Sequence, residues 1–545
     1  MQLPDVNLEA IADPATRQIV AQLLNAIEAL AAENAALRLE VQQVRDENAR
    51  LKGGSPKPDI KPPAAPPPPD HSSEHERRVR TPRGKPKKNA FLTVTREQPC
   101  LVDRSLLPPD AIQRPCVEVI VQDLLVQPEV ICFVREVWEL PSTGERITAP
   151  LPPGYHGGFG PTIRSLTLSL GHDANISQPA LLRFYSDVGV RIGKGTIARW
   201  LTDHTTQWAH EAAEIHLAGL ATGDWHASDQ TPTRVDGQNE VCHVVGNELF
   251  TSYHTRKGAS RLDVLAVLWG REPLFRLNED AEAWLAETRL SASLLARLRA
   301  ALPYDCELEA HELAARLATA DIQLNVQQRQ QVYDALAVAA YHAQTDVPIV
   351  RQLLSDDAAA FHAITDRHAL CWVHDGRHYA KLNPLVGQHQ RALAAFRKEY
   401  WALYRELAEY RASPSSEERA RLEAVFDHLM ARRTGYDDLD ARIAKTAYNR
   451  DLLLAMLDTP GLPLHNNDME LAARRRVRKR DVSFGPQSRA GARAWDTFQT
   501  IAATAAKQGV RLFEYLRERL MHPNTTPSLA ERIIERSCAA ALAPA

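Results

Sequence analysis

The sequence predicts a mixed α/β core broken by large helical insertions and preceded by a coiled-coil arm, a small β-rich unit and a helix-turn-helix-like segment. Three observations carry that reading. Heptad spacing runs through residues 16–52. Short strand-like runs around Asp229 and before Asp356 are separated by long helical, polar stretches. A helix opening near Asn467 carries Glu470 and then the cations Arg474, Arg475, Arg476, Arg478, Lys479 and Arg480.

At 545 residues the chain is long enough for about three or four units, and 44 % hydrophobic residues can bury real cores. No run approaches the roughly 18–20 apolar residues of a membrane span. The start, Met1-Gln2-Leu3-Pro4-Asp5, lacks the basic-then-apolar order of a secretory signal. Seven scattered cysteines predict reduced thiols and a cytoplasmic setting. The net charge of −3 says little, but the basic residues cluster in two short blocks.

The arm comes first. With Ile27 as an a position, Leu30, Asn34, Leu37, Val41, Val44, Asn48 and Leu51 fall alternately at d and a, and Val20 and Leu23 extend the pattern backwards. This predicts a two-stranded parallel coil, in which an Asn at a fixes register at a cost in stability, and hence a homodimer. The competing reading is one amphipathic helix docked on its own chain. Gly53-Gly54 end the helix. The Pro-rich stretch Lys57 to Asp70 is a linker. It runs into Arg77, Arg78, Arg80, Arg83, Lys85, Lys87 and Lys88, a basic run suited to DNA phosphates.

Val117 to Leu124 and Glu129 to Trp138 alternate like strands and predict a small antiparallel unit. Cys100, Cys116 and Cys132 lie too far apart for a zinc knuckle. Neither Gly154 to Pro161 nor Gly193-Lys194-Gly195-Thr196 has the spacing and strand-to-helix context of a nucleotide loop. Helices over Ile176 to Asp187 and Lys194 to Thr202, joined through Gly189 to Gly193, predict a helix-turn-helix-like pair presenting Lys194 and Arg199 to DNA.

Asp229 falls on the first strand of a predicted meander whose later strands are Val241 to Val245 and Leu249 to Arg256. Asp356 and Asp357 follow the short apolar run Val347 to Leu354. Glu470 opens a helix, where the dipole favours a carboxylate whether or not it does chemistry. Carboxylate oxygens suit Mg²⁺ or Mn²⁺. Two such ions about 3.5–4 Å apart can activate an attacking oxygen and stabilise a leaving one. Cys371, His374 and Arg377 lie just beyond the second acid, and the Cys–His pair reads as structural.

These residues resemble the insertion-sequence sixty-six (transposase C) family of bacterial transposases, of RNase-H-like Asp-Asp-Glu type. Asn466-Asn467-x-x-Glu470-x-x-x-Arg474 matches the family's most specific block. Asp229-Gln230-Thr231-Pro232 stands where the family has Asp-Glu-Thr-Pro, and Cys371-x-x-His374-x-x-Arg377 is similar to its Cys-x-x-His-x-x-Arg stretch. The coil and the segment from Tyr185 to Trp200 resemble its zipper and helix-turn-helix portions. The family's paired cysteines before the helix-turn-helix are absent, and Gln230 replaces a Glu.

The resemblance implies an α/β RNase-H-like catalytic core with large helical insertions. Asp229, Asp356 and Glu470 would be its catalytic metal ligands, for Mg²⁺ or Mn²⁺, with Asp357 as rival to Asp356. It implies DNA cleavage and strand transfer, with element ends and target DNA as partners and helper proteins encoded beside the gene. Residues expected on DNA are Arg77, Arg78, Arg80, Lys87, Lys88, Lys194, Arg199, Arg474, Arg475, Arg478 and Lys479. The alternatives are an inactive dimeric DNA-binding protein and a nuclease that cleaves without joining.

The expected organisation is a coil over 1–52, a linker over 53–89, the β-rich unit over 90–160 and the helix-turn-helix-like segment over 161–215. The core then occupies 216–271 and 346–386, interrupted by helical insertions over 272–345 and 387–459. The catalytic and C-terminal helices take 460–522, and a tail 523–545.

Overall fold

The computed structural model describes residues 6, 8–51, 92–108, 111, 112, 114–156, 158–202, 206–523 and 525–541. The expected linker and the basic run with Arg77, Arg78, Arg80, Lys87 and Lys88 lie outside the described residues.

Helix α1 spans Pro14–Leu51. Its heptad residues Leu23, Leu30, Leu37, Val41, Val44 and Leu51 are exposed, whereas Leu24 and Glu28 are buried. The Glu28 carboxylate accepts from the backbone N–H groups of Leu385 at 2.9 Å and Val386 at 2.8 Å. Asn25 bonds Gly435 O and Asp437 N at 3.1 and 3.2 Å. The helix thus touches its own chain with the side opposite the heptad stripe.

The expected β-rich unit is corrected. No strand forms over 117–136, and only a short hairpin follows, β1 (Val137–Glu139) with β2 (Arg146–Thr148). Val117, Val119, Val130 and Val134 are exposed. Alternation stabilises a strand only when one face has a layer to pack on, and here neither face has one.

Helices α2 (Pro161–Leu168), α3 (Gln178–Asp187), α4 (Lys194–Thr202) and α5 (Thr206–Leu220) follow. Tyr185 on α3 and Ile197 on α4 are buried, and the Tyr185 hydroxyl meets Thr167 Oγ1 at 2.7 Å. Lys194 and Arg199 stay exposed.

The five-stranded core sheet places the three strands of a meander, third to first, and then two later strands. Its meander is β3 (His226–Val235), β4 (Gln238–Gly246) and β5 (Thr251–Arg256), all antiparallel. The β3–β4 turn is Asp236-Gly237, with φ of 49° and 72°. Two positive-φ residues match the strand twist, and Asp-Gly is well suited to supply them. Next come α6 (Arg261–Trp269), β6 (Phe275–Arg276), α7 (Glu279–Glu287), α8 (Ala292–Ala301), β7 (Glu307–Leu308), α9 (Ala310–Thr319) and α10 (Val326–Ala343). Then β8 (Gln352–Ser355) and β9 (Arg367–Leu370) add to the sheet in parallel. This mixed order is compatible with the expected RNase-H-like core.

Helix α11 (Trp372–Lys381) leads into an inserted bundle of α12 (Gly387–Tyr410), α13 (Ser416–Met430), α14 (Asp437–Tyr448) and the short α15 (Arg450–Leu453). The chain returns as α16 (Asn467–Ser483), α17 (Arg489–Lys507), α18 (Leu512–Met521) and α19 (Leu529–Ala541).

Two apolar clusters sandwich the sheet. Successive residues point to opposite faces, so Val245 and Leu353 join one cluster with Trp269, Tyr341 and Phe498. Val244 and Leu354 join the other with Trp372, Tyr400, Met469 and Ala472. No helix among the described residues is long and apolar enough to cross a membrane. All seven cysteines are unpaired.

Candidate active site

Strand register sets the first two acids. On the parallel pair β3 and β8, His226 stands opposite Leu353 and Ala227 opposite Leu354. Carried two residues further, that register brings Asp229 level with Asp356. The alternation of side chains puts both on the face of Ala227 and Leu354. That face is where α16 packs, since Met469, Ala472 and Ala473 share a cluster with Ala227 and Leu354. Glu470 therefore approaches the acids from a helix laid over their strands.

The start of α16 is clipped in place by its loop. Asn466 Nδ2 donates to Ser228 O on β3 at 2.7 Å, and Asn466 N to Cys371 Sγ at 3.3 Å. Asn is a residue type suited to capping a helix start, but the Asn466 side chain makes no cap bond. It ties the helix to the strand that carries Asp229 instead.

Asp229 Oδ1 accepts from Gln230 N at 2.8 Å. Burial pushes its carboxyl up to about 7, reinforced by the charges of Asp356 and Glu470 and opposed by Arg377. Asp356 Oδ1 accepts a 3.2 Å bond from Ala358 N. Its neighbour Asp357 is committed elsewhere. Its Oδ1 takes His362 Nε2 at 2.9 Å, and its Oδ2 takes Lys445 Nζ and Asn449 Nδ2, each at 3.2 Å.

Glu470 has one engaged oxygen and one free. Oε2 accepts from Arg377 Nη2 at 2.8 Å. Oε1 is buried without a hydrogen-bond partner, 3.6 Å from His374 Nε2. Helical spacing of three puts Cys371, His374 and Arg377 on successive turns of one face of α11. The buried Asp375 on α11 fixes that helix, accepting from Tyr400 Oη at 3.0 Å and Thr446 Oγ1 at 3.0 Å and pairing with Arg442. Burial lowers the His374 pKa against the pull of Glu470, and burial raises the Cys371 thiol to about 12.

His374 and Arg377 are the residues the sequence reading left outside the site. Their signal is the Cys-x-x-His-x-x-Arg spacing, legible as a helix face but silent about what it faces. His226 is structural: buried, with Nε2 3.1 Å from Gly219 O.

The cationic helix divides by face. Arg474, Arg475 and Arg478 are exposed. Arg476 is fully buried, donating to Thr255 Oγ1 at 3.1 Å and pairing with Asp496. The expectation for Lys479 is corrected. It is buried, its ammonium donates to Gly171 O, and burial together with Arg476 lowers its pKa to about 7. The spacing of three from Arg476 turns it inward, so it is not available to a DNA phosphate.

The family model described as the IS66 family of transposases matches residues 339–494. That span holds Asp356, Cys371, His374, Arg377 and Glu470 and leaves out Asp229. The chain is also 31 % identical over 307 residues to the uncharacterized protein y4jO of Sinorhizobium fredii, covering 56 % of this chain and 94 % of that one. No solved structure matches the chain. The motif residues of α11 and α16 meet at one partly buried carboxylate, and the chain belongs to the IS66 transposase family.

Proposed function

We propose that the chain is a DNA transposase that cuts and joins phosphodiesters at Asp229, Asp356 and Glu470. The observation that carries this reading is the register of β3 and β8, which sets two aspartates side by side under the helix that carries Glu470. The donor set fits a hard divalent cation: three carboxylates, one with its charge suppressed by burial and one with an orphaned buried oxygen. Mg²⁺ or Mn²⁺ held there would polarise the scissile phosphate and favour the deprotonated nucleophile.

The protein's own residues do the rest. Arg377 holds Glu470 Oε2, aiming the other oxygen inward. Asp229 would hold the cation in its deprotonated form, losing its proton on binding. Both oxygens of Asp357 are occupied, which favours Asp356 as the second ligand. Arg474, Arg475 and Arg478 line the exposed face of α16 one to two turns beyond Glu470, placed for DNA phosphates. Lys194 and Arg199 on α4 would contact the element ends, and the heptad stripe of α1 would pair two copies in the cytoplasm.

The test incubates the full chain with labelled element ends and target DNA in Mn²⁺. Joined products support the reading. Cleavage without joining makes the protein a nuclease, and binding with neither makes it an inactive DNA-binding relative.

A further inference from the structure

One group of three unlike metal ligands is packed together among the described residues: the Cys371 thiol, the His374 imidazole and the Glu470 carboxylate, with ligand atoms within 4.8 Å of one another. Nothing in the acid-triad reading uses the first two. The geometry has specific features. His374 Nε2 and Glu470 Oε1 are 3.6 Å apart, too far for a hydrogen bond. With zinc–ligand bonds of about 2.0–2.3 Å, neighbouring ligands of a tetrahedral ion lie roughly 3.3–3.8 Å apart. Glu470 Oε1 is buried and unpartnered, although the other oxygen of the same carboxylate is satisfied by Arg377.

Cys371 has the surroundings of a ligand thiolate. Burial keeps the thiol protonated while no cation is bound, but Cys371 is the N-cap residue of α11, so its sulfur lies at the positive end of a ten-residue helix, which favours the thiolate once a cation binds. The N–H of Asn466 already points at Sγ from 3.3 Å, the contact that orients and stabilises a metal-bound sulfur.

We propose that Cys371, His374 and Glu470 form a second metal site, selective for Zn²⁺ over Mg²⁺, which shares Glu470 with the acid triad. Thiolate and imidazole are ligands that Zn²⁺ accepts and Mg²⁺ does not favour. Binding releases the thiol proton to solvent and changes no oxidation state. Three protein ligands leave one position for water, the mark of an exchangeable site rather than a closed structural one. The Arg377 bond to Oε2 survives occupancy, because the ion uses Oε1. Resting on the transposase reading, one consequence follows: zinc withdraws Glu470 from Asp229 and Asp356 and inhibits Mg²⁺-supported joining. The site itself stands without that reading.

The test is titration of the reduced full chain with Co²⁺, whose bond to a thiolate gives a near-ultraviolet charge-transfer absorption. The expected result is saturation at one equivalent, bleaching by Zn²⁺, loss of the absorption in Cys371→Ser and its retention in Asp356→Ala. The last variant separates the two claims, since it removes a proposed catalytic ligand but none of the zinc ligands. Should Cys371→Ser fail to fold by circular dichroism, His374→Gln decides the matter, with Co²⁺ affinity expected to fall at least about tenfold. No thiolate absorption in the parent protein, the same absorption in Cys371→Ser, or unchanged affinity in His374→Gln overturns the proposal.

Discussion

Arg377 Nη2 donates to Glu470 Oε2 at 2.8 Å, bridging α11 and α16 across 93 residues of sequence. Among the described residues this is the one guanidinium bonded to any of the three acids. It fixes the direction of Glu470 and offsets part of the negative charge gathered around Asp229. Arg377→Ala is expected to fold and to lose about 10–100-fold in joining rate, as loss of a ligand-orienting partner does. Arg377→Lys should recover part of it. Rates of joined-product formation at saturating Mn²⁺ check this, and an unchanged rate in Arg377→Ala counts against a positioning role.

Asp229 makes stability depend on pH. Its folded pKa of about 7 lies well above the ordinary aspartate value. The unfolded chain therefore ionises first as pH rises. Between about pH 4 and 7 the unfolded state binds fewer protons, so stability falls across that window and levels off above it. In metal-free protein at pH 8, Asp229→Asn should be more stable than the parent by on the order of 2 kcal/mol, and at pH 4 the difference should vanish. Urea melts at the two pH values measure it. The same substitution should abolish joining, a trade of stability for function.

Arg474 and Arg476 are two residues apart on α16 and should behave oppositely. Arg476 is fully buried between Asp496, Tyr253 and Trp495, so Arg476→Ala leaves the partly buried Asp496 carboxylate with only its Thr255 bonds and no cation, and should cost about 3 kcal/mol. Arg474 is exposed, and Arg474→Ala should leave stability within about 0.5 kcal/mol. It should instead weaken DNA binding and reduce the salt slope of log affinity by about 1. Thermal melts and salt-dependent DNA titrations separate the two effects.

Helix α1 offers two faces at once. Leu24 and Glu28 are buried against the inserted bundle, while Leu30 and Leu37 are exposed at heptad positions. If the heptad stripe pairs two copies as proposed, the parent should sediment as a dimer and a Leu30→Glu, Leu37→Glu double variant as a monomer, with an unchanged thermal melt of the core. Glu28→Ala should do the reverse. It frees the N–H groups of Leu385 and Val386 and lowers stability by about 1–3 kcal/mol without changing the sedimentation of the parent.

The legible parts were those governed by local rules. Heptad spacing predicts a long helix and one is present over Pro14–Leu51. The meander and the start of α16 at Asn467 also follow from alternation and turn chemistry. What local rules omit is the partner. The runs over 117–136 alternate well yet form no strand, because no layer covers them. Asn466 has the chemistry of a cap and spends its amide on Ser228. Lys479 looks like one more surface cation, but helical phase carries it into the core beside Arg476. In the candidate site, the order of the acids along the chain was readable. That Arg377 and His374 converge on Glu470 was not, because that meeting depends on how α11 and α16 pack over the sheet.

On the proposed function, Asp356, level with Asp229 and clear of the bonds that occupy Asp357, is the second acid of a divalent-metal site shared with Glu470. The most direct measurement compares joined products from Asp356→Ala and Asp357→Ala in Mn²⁺, with both proteins shown to fold and bind element ends. The account predicts no joining from Asp356→Ala and measurable joining from Asp357→Ala. Joining retained by Asp356→Ala would contradict it.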